Sequence, residues 1–245
     1  MTYEELINKI KTKGYWRILF EPLGEENKLT ELPECKTIIE KNAVHLRGWP
    51  YPFVPNWSDD ERALEFGQNY CQGWINLEKT PFDHKEFWRM YQSTQFIHYI
   101  ALYEDWISNL QVVNMWERDK KFLSENQGLG FLGTVYFITE IYQFISRLAL
   151  GGLYDNGVKI NISLNNTKNR MLFVDDPRRF PFSTPKKSIE QQLSFEKKYT
   201  KEELLSNPID SAREVIFYFF ARFQWENPSI DVIKNDQENL INRKI

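Results

Sequence analysis

The segment from Gly130 to Leu150 constrains the fold of this chain more than any other feature. Its apolar residues recur at intervals of three and four, as on one face of an α-helix. These residues are Val135, Ile138, Ile141, Tyr142, Ile145, Leu148 and Ala149. The pattern stops at Gly151-Gly152, and glycine commonly follows the last turn of a helix. The segment predicts a long helix whose apolar face must be covered by another part of the protein.

The residues from Phe82 to Phe122 have a similar spacing, with Phe96, Ile100 and Tyr103 on one stripe. They predict another long helix, which would pack against the one from Gly130 to Leu150. Shorter segments also have helical patterns. These segments are residues 3–11, Thr30 to Asn42, a stretch that starts at the capping box Thr200-Lys201-Glu202-Glu203 and restarts at Pro208, and a last helix near Ser229.

Other segments alternate between apolar and polar residues, as β-strands do. The clearest is a hairpin in which Val158 to Leu164 and Met171 to Val174 are joined by a turn at Asn165 to Asn169. Further strands are predicted at Tyr15 to Phe20, Val44 to Arg47, residues 61–78 and Ile189 to Phe195, the last at a sheet edge.

Because β-rich and helical stretches follow one another in blocks, the sequence predicts an α+β fold. We expect mainly antiparallel sheets with hairpins, packed against several long, aromatic-rich helices. The core should be bulky, since the 245 residues include 18 Phe, 12 Tyr and 8 Trp. Residues 1–245 are expected to form one domain, and a division into two lobes would fall near residue 152.

Cys35 and Cys71 are far apart and match no metal-ligand spacing, so both are expected to be reduced and buried. The N-terminal residues lack the features of a signal peptide. The longest uncharged runs are shorter than the roughly 20 apolar residues that a membrane helix needs. The expected location is therefore the cytoplasm, without membrane contact.

The sequence contains none of the motifs that carry a defined chemistry. His45, His84 and His98 are scattered, and the chain has no HExxH or CxxC pattern. It also has no GxSxG elbow and no GxxxxGK[ST] phosphate loop. The sequence assigns no catalytic residue, no metal ligand and no cofactor.

Polar residues interrupt both predicted long helices. Gln95, His98 and Asp105 would share a face of the first, where a histidine satisfied at the edge of an aromatic core is the simplest interpretation. On the second, Glu140, Gln143 and Arg147 fall on one line. That line is either a solvated face or a buried ion pair, and a buried pair would cost desolvation and indicate a specific role.

The charge is spread unevenly along the chain. Nine Lys and Arg and four Asp and Glu lie between Lys168 and Lys201, a local balance of +5 in a chain whose net charge is −3. Cations in this segment are interleaved with Phe173, Phe180 and Phe182. Cations beside rings suit single-stranded nucleic acid and also an acidic protein. A solvated hairpin that binds nothing would carry the same residues.

The loop Arg47-Gly48-Trp49-Pro50-Tyr51-Pro52 is a second candidate contact. Its prolines bias the backbone towards extended geometry. Arg and Trp concentrate binding energy in interfaces, so an exposed Trp49 would indicate a ligand platform. A buried Trp49 would indicate a lid over the core.

Six short motifs are spread over most of the chain. They are Tyr15-Trp16-Arg17, Arg47-Gly48-Trp49, Phe87-Trp88-Arg89, Thr139-Glu140, Arg147-Leu148-Ala149 and Arg222-Phe223-Gln224-Trp225. Together they resemble an uncharacterised prokaryotic regulator-like protein region, which is sometimes joined to Schlafen-like or AlbA-type nucleic-acid-binding modules. The resemblance implies a regulatory or sensing role and no catalytic residue. The chain lacks an AlbA-type module of its own, which speaks against direct DNA binding.

The leading hypothesis is a non-enzymatic intracellular binding protein, a sensing or adaptor component of a protein complex. A protein partner is expected, and nucleic acid is the alternative. The expected contact residues are Arg170, Arg178, Arg179, Phe180, Lys186, Lys187, Arg47 and Trp49.

Two further hypotheses stay open. One is a metal-dependent hydrolase or nuclease that uses carboxylates such as Asp175, Asp176 or Glu140. The other is a sensor of an anionic small molecule, which requires several arginines to converge in one cavity. The candidates for that cavity are Arg17, Arg47, Arg89 and Arg147.

Overall fold

A seven-stranded antiparallel sheet forms the centre of the protein in a computed structural model, which describes residues 1–24, 29–78, 83–106 and 127–244. Its strands are β1 (Tyr15–Pro22), β2 (Arg62–Phe66), β3 (Tyr70–Leu77), β4 (His84–Tyr91), β5 (Phe96–Ala101), β7 (Val158–Asn165) and β10 (Gln192–Tyr199). They lie in the order β10-β7-β1-β5-β4-β3-β2. A second sheet has the order β6-β8-β9, formed by β6 (Gly128–Gly130), β8 (Met171–Phe173) and β9 (Lys186–Lys187).

Six α-helices lie in the described ranges. They are α1 (Tyr3–Lys11), α2 (Leu32–Asn42), α3 (Phe131–Leu150), α4 (Lys201–Ser206), α5 (Pro208–Arg222) and α6 (Ile230–Ile241), and a 3₁₀ turn spans Tyr103–Asp105. None of these helices is long and apolar enough to cross a membrane.

The long helix α3 covers one face of the seven-stranded sheet. Trp16 and Phe20 lie an even number of residues apart on β1, so both side chains point to that face. The ring of Trp16 lies 5.7 Å from that of Phe137, and the ring of Phe20 lies 6.3 Å from that of Phe144. Because α5 covers α3 in turn, almost the whole surface of α3 is buried. The predicted helix from Gly130 to Leu150 is confirmed.

The opposite face of the sheet is covered in part by α1. Leu6 and Ile10 of this helix pack with Trp74 and Phe87 in a small separate core. Strands β3 and β4 are therefore buried on both faces, since α2 lies against their other side.

The α+β class with a mainly antiparallel sheet is confirmed, as are most of the shorter elements. The Thr200 hydroxyl accepts a hydrogen bond from the amide of Glu203 at 3.2 Å, and the Glu203 carboxylate accepts one from the amide of Thr200 at 2.8 Å, which completes the predicted capping box. Ser229 caps α6. The strand predicted near Ile189 is β10, which forms an edge of the large sheet.

The helix predicted from Phe82 to Phe122 is wrong in its described part. His84–Tyr91 and Phe96–Ala101 are strands β4 and β5, joined by a turn in which Thr94 has a φ of 64°. A strand buried on both faces is apolar at nearly every position, so its periodicity does not distinguish it from a buried helix. Residues 107–122 lie outside the described ranges.

The predicted hairpin is also wrong, although its two strands and its turn exist. Strand β7 pairs with β1 and β10, whereas β8 pairs with β6 and β9. The chain leaves the first sheet after Asn165, and the guanidinium of Arg170 then donates to the carbonyl of Gly128 at 2.6 Å. The amide of Met171 then donates to the carbonyl of Gln127 at 2.8 Å, which directs β8 into the second sheet. The predicted strand from Val44 to Arg47 is reduced to a single bridge between Val44 and Tyr51.

Candidate functional site

A cavity of about 830 Å³ lies between the sheet, the start of α3 and the loop from Arg47 to Tyr51. This volume falls within the usual range of small-molecule sites in proteins. Five aromatic side chains contribute to its walls: Trp16, Trp49, Tyr51, Tyr103 and Phe137. Trp49 is 36% exposed and stacks on Phe53 at 5.1 Å, so the aromatic loop forms one wall of the cavity and remains open to solvent.

The charged residues around this cavity are mainly acidic. Its walls include the carboxylates of Asp83, Glu86, Glu104, Glu140 and Asp175. Arg47 and His84 are the basic residues among the described lining residues. The positions of these groups fall into three clusters with different chemistry.

The first cluster is the ion pair between Arg47 and Glu140. The Nε of Arg47 donates to Oε1 of Glu140 at 3.0 Å, and Nη2 donates to Oε2. Glu140 is buried on α3, and burial raises the pKa of its carboxyl in spite of the nearby guanidinium. The partner of Glu140 is therefore Arg47 and not Arg147, whose Nη1 donates to the carbonyl of Ala43 at 2.7 Å.

The second cluster centres on Glu86, a buried carboxylate between two histidines. Its Oε2 lies 2.6 Å from Nε2 of His84, and its Oε1 accepts the amide of Phe53 at 2.9 Å. The Nε2 of His98 lies 3.0 Å from Oε1 but out of line for a hydrogen bond, while its Nδ1 lies 3.2 Å from the hydroxyl of Tyr51. Burial opposes ionisation of Glu86, yet the neighbouring histidines lower its pKa to about 2.

In this arrangement a carboxylate and an imidazole meet at the cavity wall. Glu86 fixes one ring nitrogen of His84 and leaves the other without a hydrogen bond to any described residue. The predicted grouping of His98 with Gln95 and Asp105 is wrong, because these residues do not share a helix. His98 lies on β5 beside Glu86, and Asp105 pairs with Arg170.

The third cluster consists of Glu104 and Asp175 at the N-terminus of α3. Oε1 of Glu104 accepts the amide of Gly130 at 2.7 Å, and Asp175 accepts the amides of Leu132 at 2.6 Å and Gly133 at 2.8 Å. A Cβ at Gly130 would lie 3.0 Å from Oε1 of Glu104 and closer still to Oδ2 of Asp175. The absence of a side chain at Gly130 therefore lets the two carboxylates approach each other.

Both carboxylates in this third cluster are harder to ionise than usual. Burial raises the pKa of Glu104 to about 7, and the negative charge of Asp175 acts in the same direction. Burial also raises the pKa of Asp175, against the effect of the helix amides that bind it. Within the described residues, no Lys, Arg or His forms an ion pair with either carboxylate.

The residues expected to form a basic contact surface have several different environments. Arg170 is fully buried and donates to both carboxylate oxygens of Asp105 at 2.7 Å, so it does not reach the surface. Arg179 binds Asp236 of α6, while Arg178 binds Asp176 and keeps an exposed side chain. Phe180 is 88% exposed. Acidic neighbours thus offset much of the predicted positive charge.

The remaining basic residues lie beside the C-terminal end of α5. Nζ of Lys186 donates to the carbonyl of Gln224 at 3.2 Å, and the carbonyl of Lys187 accepts from the side chain of Gln224 at 3.1 Å. Both lysines are half-buried. Trp49 and Arg47, by contrast, belong to the cavity wall.

The arginines proposed for an anion sensor do not converge. Arg47 lines the cavity, while Arg147 lies against Ala43. Arg89 is on the opposite face of the sheet, over the ring of Tyr70 at 4.0 Å, and Arg17 alternates with Trp16 and so faces away from α3.

The acids proposed for a metal site are also separated. Asp175 and Glu140 line the cavity, but Asp176 turns towards Arg178 and Arg179. The described part of the chain contains no group of three side chains that could hold a metal ion.

Sequence reasoning did not identify His84, Glu86 and Tyr51 as parts of one site. A correct assignment of β4 and β5 would have placed Glu86 and His98 on the same face of neighbouring strands, because alternate residues share a face. No protein-family model, curated protein or solved structure matches this chain, so its function has to be inferred from the cavity itself.

Proposed function

We propose that this protein is a non-enzymatic binding protein whose cavity holds a small organic molecule. The cavity carries this proposal, because it combines a volume of about 830 Å³ with aromatic walls and a few fixed polar groups. Aromatic side chains offer a large contact area for an organic ring or chain. The groups that would orient the ligand are held in place by hydrogen bonds within the protein, as at Glu86 and Glu140.

The proposal favours a sensing role, in which the protein binds its ligand as a component of a protein complex. The exposed Arg178 and Phe180 follow Asp175 by only a few residues, so the cavity wall continues directly into a surface segment. We further infer a cytoplasmic location, which is supported by the buried free thiols of Cys35 and Cys71.

Filling the cavity is expected to weaken ligand binding. Ile100 lines the cavity, whereas Ile97 lies on the other face of the same strand. Ile100→Trp should weaken binding by at least about tenfold, since each 1.4 kcal/mol of lost contact is a factor of ten. Ile97→Trp adds the same ring away from the cavity and should leave the affinity unchanged.

The measurement is native mass spectrometry of the protein purified from its own host, followed by titration calorimetry with any compound that is recovered or found in a fragment screen. A compound that binds the original chain and Ile97→Trp, but not Ile100→Trp, supports the proposal. Equal binding to all three proteins, or no compound from either source, contradicts it.

Neutralising the exposed Arg178 together with the half-buried Lys186 and Lys187 is expected to remove a protein partner without unfolding the chain. The variant Arg178→Ala, Lys186→Ala and Lys187→Ala leaves Arg179 in place, because Arg179 pairs with the buried Asp236. A pull-down from the native host with and without nuclease should recover a partner with the original chain only. Recovery of the same partner with the variant would contradict this contact surface, and loss of the partner on nuclease treatment would point to nucleic acid instead.

A further inference from the structure

We infer that the ligand of the cavity is an organic cation whose ammonium group lies between Glu104 and Asp175. This inference rests on the proposed function, since it assigns a charge to the molecule that the cavity would hold. It follows from three observations on the described residues. The first is which acids around the cavity have basic partners. The second is which groups accept hydrogen bonds from the amides at the start of α3, and the third is the aromatic rings of the cavity wall.

The first observation is that the other acids around the cavity already have basic partners. Glu140 binds Arg47, and Glu86 lies between two histidines. Asp83 lies 3.7 Å from Nζ of Lys85. Glu104 and Asp175 differ, because their hydrogen bonds come from the backbone amides of α3. A ligand cation would supply the ion-pair partner that neither carboxylate has among the described residues.

The second observation concerns anions. A helix N-terminus commonly binds an anionic ligand through its free amides. Here the amides of Gly130, Leu132 and Gly133 are taken by the protein's own carboxylates. An anionic ligand would meet two carboxylates instead of free donors. This end of the cavity therefore disfavours a negatively charged group.

The third observation is independent of the acids. Aromatic rings form much of the cavity wall, and Tyr103 precedes Glu104 in the chain. A cation near the face of an aromatic ring is attracted by the negative charge of that face, and the attraction grows as the cation is desolvated. The same rings would cover the apolar part of the ligand. A cavity with ring walls and an acidic end suits an aromatic or alkyl amine.

The test compares molecules that differ only in charge. The probes are phenethylamine, 2-phenylethanol and phenylacetate, together with the matching indole and naphthalene compounds, and calorimetry measures their affinities at pH 8. We expect each amine to bind at least about tenfold more tightly than its alcohol, a factor that corresponds to 1.4 kcal/mol. The carboxylates should bind more weakly still.

Glu104→Gln is the matched variant, because its amide oxygen can still accept the amide of Gly130 and preserve the start of α3. It should lose the preference for amines, so that each amine and its alcohol bind with similar affinity. Alcohols or acids that bind as tightly as amines, and lose affinity in Ile100→Trp, would overturn the cation while leaving the proposed function intact. If no probe of any charge binds, both are overturned.

The pH dependence provides a second readout. The groups that act on Glu104 are Asp175 and the ion pair of Arg170 with Asp105, and Asp176 acts on Asp175. The pKa of Glu104 is about 7, so its carboxyl is mostly protonated at pH 6 and mostly ionised at pH 8. The amines keep their proton in this range, as a lysine side chain does.

Because the ionised carboxylate is the form that attracts a cation, the affinity for amines should rise about tenfold from pH 6 to pH 8. Glu104→Gln should give a flat profile. A flat profile in the original chain, with its amine preference intact, would overturn the assignment to Glu104.

Discussion

Replacing Arg170 by methionine is expected to lower the free energy of unfolding by about 3–5 kcal/mol, the usual cost of breaking a buried ion pair by removing one partner. Arg170 is fully buried, and the side chain of Asp105 is 3% exposed. The variant would leave Asp105 charged and without its main partner. It would also remove the donors to the carbonyls of Gly128 and Asn166.

Urea unfolding monitored by fluorescence and circular dichroism measures this effect. Arg178→Met is the control, because that side chain is 77% exposed and should change stability by less than about 0.5 kcal/mol. Adding Asp105→Asn to Arg170→Met should recover part of the loss, since asparagine still accepts the amide of Gly14 but carries no charge. A cost below about 1 kcal/mol for Arg170→Met would refute the structural role of the pair.

Replacing Glu86 by glutamine should lower stability near neutral pH by on the order of 3 kcal/mol, since its pKa falls from 4.5 to about 2 on folding and each unit is worth about 1.4 kcal/mol. A carboxyl with a depressed pKa in the folded state stabilises the fold fully above its unfolded pKa. That contribution is lost as the pH falls from 4.5 to 2. The difference between the two proteins should therefore be largest above pH 5 and shrink in acid.

Unfolding free energies measured between pH 2.5 and pH 7 would reveal this pattern. Glu238→Gln serves as the matched control, because its side chain is 54% exposed and lies 4.0 Å from Lys234. It should cost less than about 0.5 kcal/mol. A constant gap between Glu86→Gln and the original chain across this range would show that the histidines do not stabilise the charge of Glu86.

The sequence predicted the parts of the fold whose patterns are local. The helix from Gly130 to Leu150, the capping box at Thr200 and the strand from Tyr15 have signals that lie within the element itself. Strand pairing is not local. The turn after Asn165 suggested a hairpin, but β8 lies in another sheet. This switch is accompanied by a buried ion pair between Arg170 and Asp105, which are 65 residues apart in the chain.

The candidate site was predicted only in part, for the same reason. Arg47 and Trp49 were identified because arginine and tryptophan concentrate binding energy in interfaces. Arg170 looked like part of a basic surface, since a sequence does not reveal which cations are buried beside an acid. The pair of Glu104 and Asp175 depends on Gly130, which brings two distant segments to one helix end.

The walls of the cavity come from at least five separate stretches of sequence, from Trp16 in β1 to Asp175 after β8. Neighbouring strands such as β1 and β7 are also far apart along the chain, and such long-range pairing slows folding. The cavity would thus be assembled only when these distant stretches have packed together, so no fragment that lacks one of them should retain it. A ligand present at a hundred times its Kd would then add about 2.7 kcal/mol to the stability of the complete fold. The melting temperature would therefore show whether the ligand occupies the cavity.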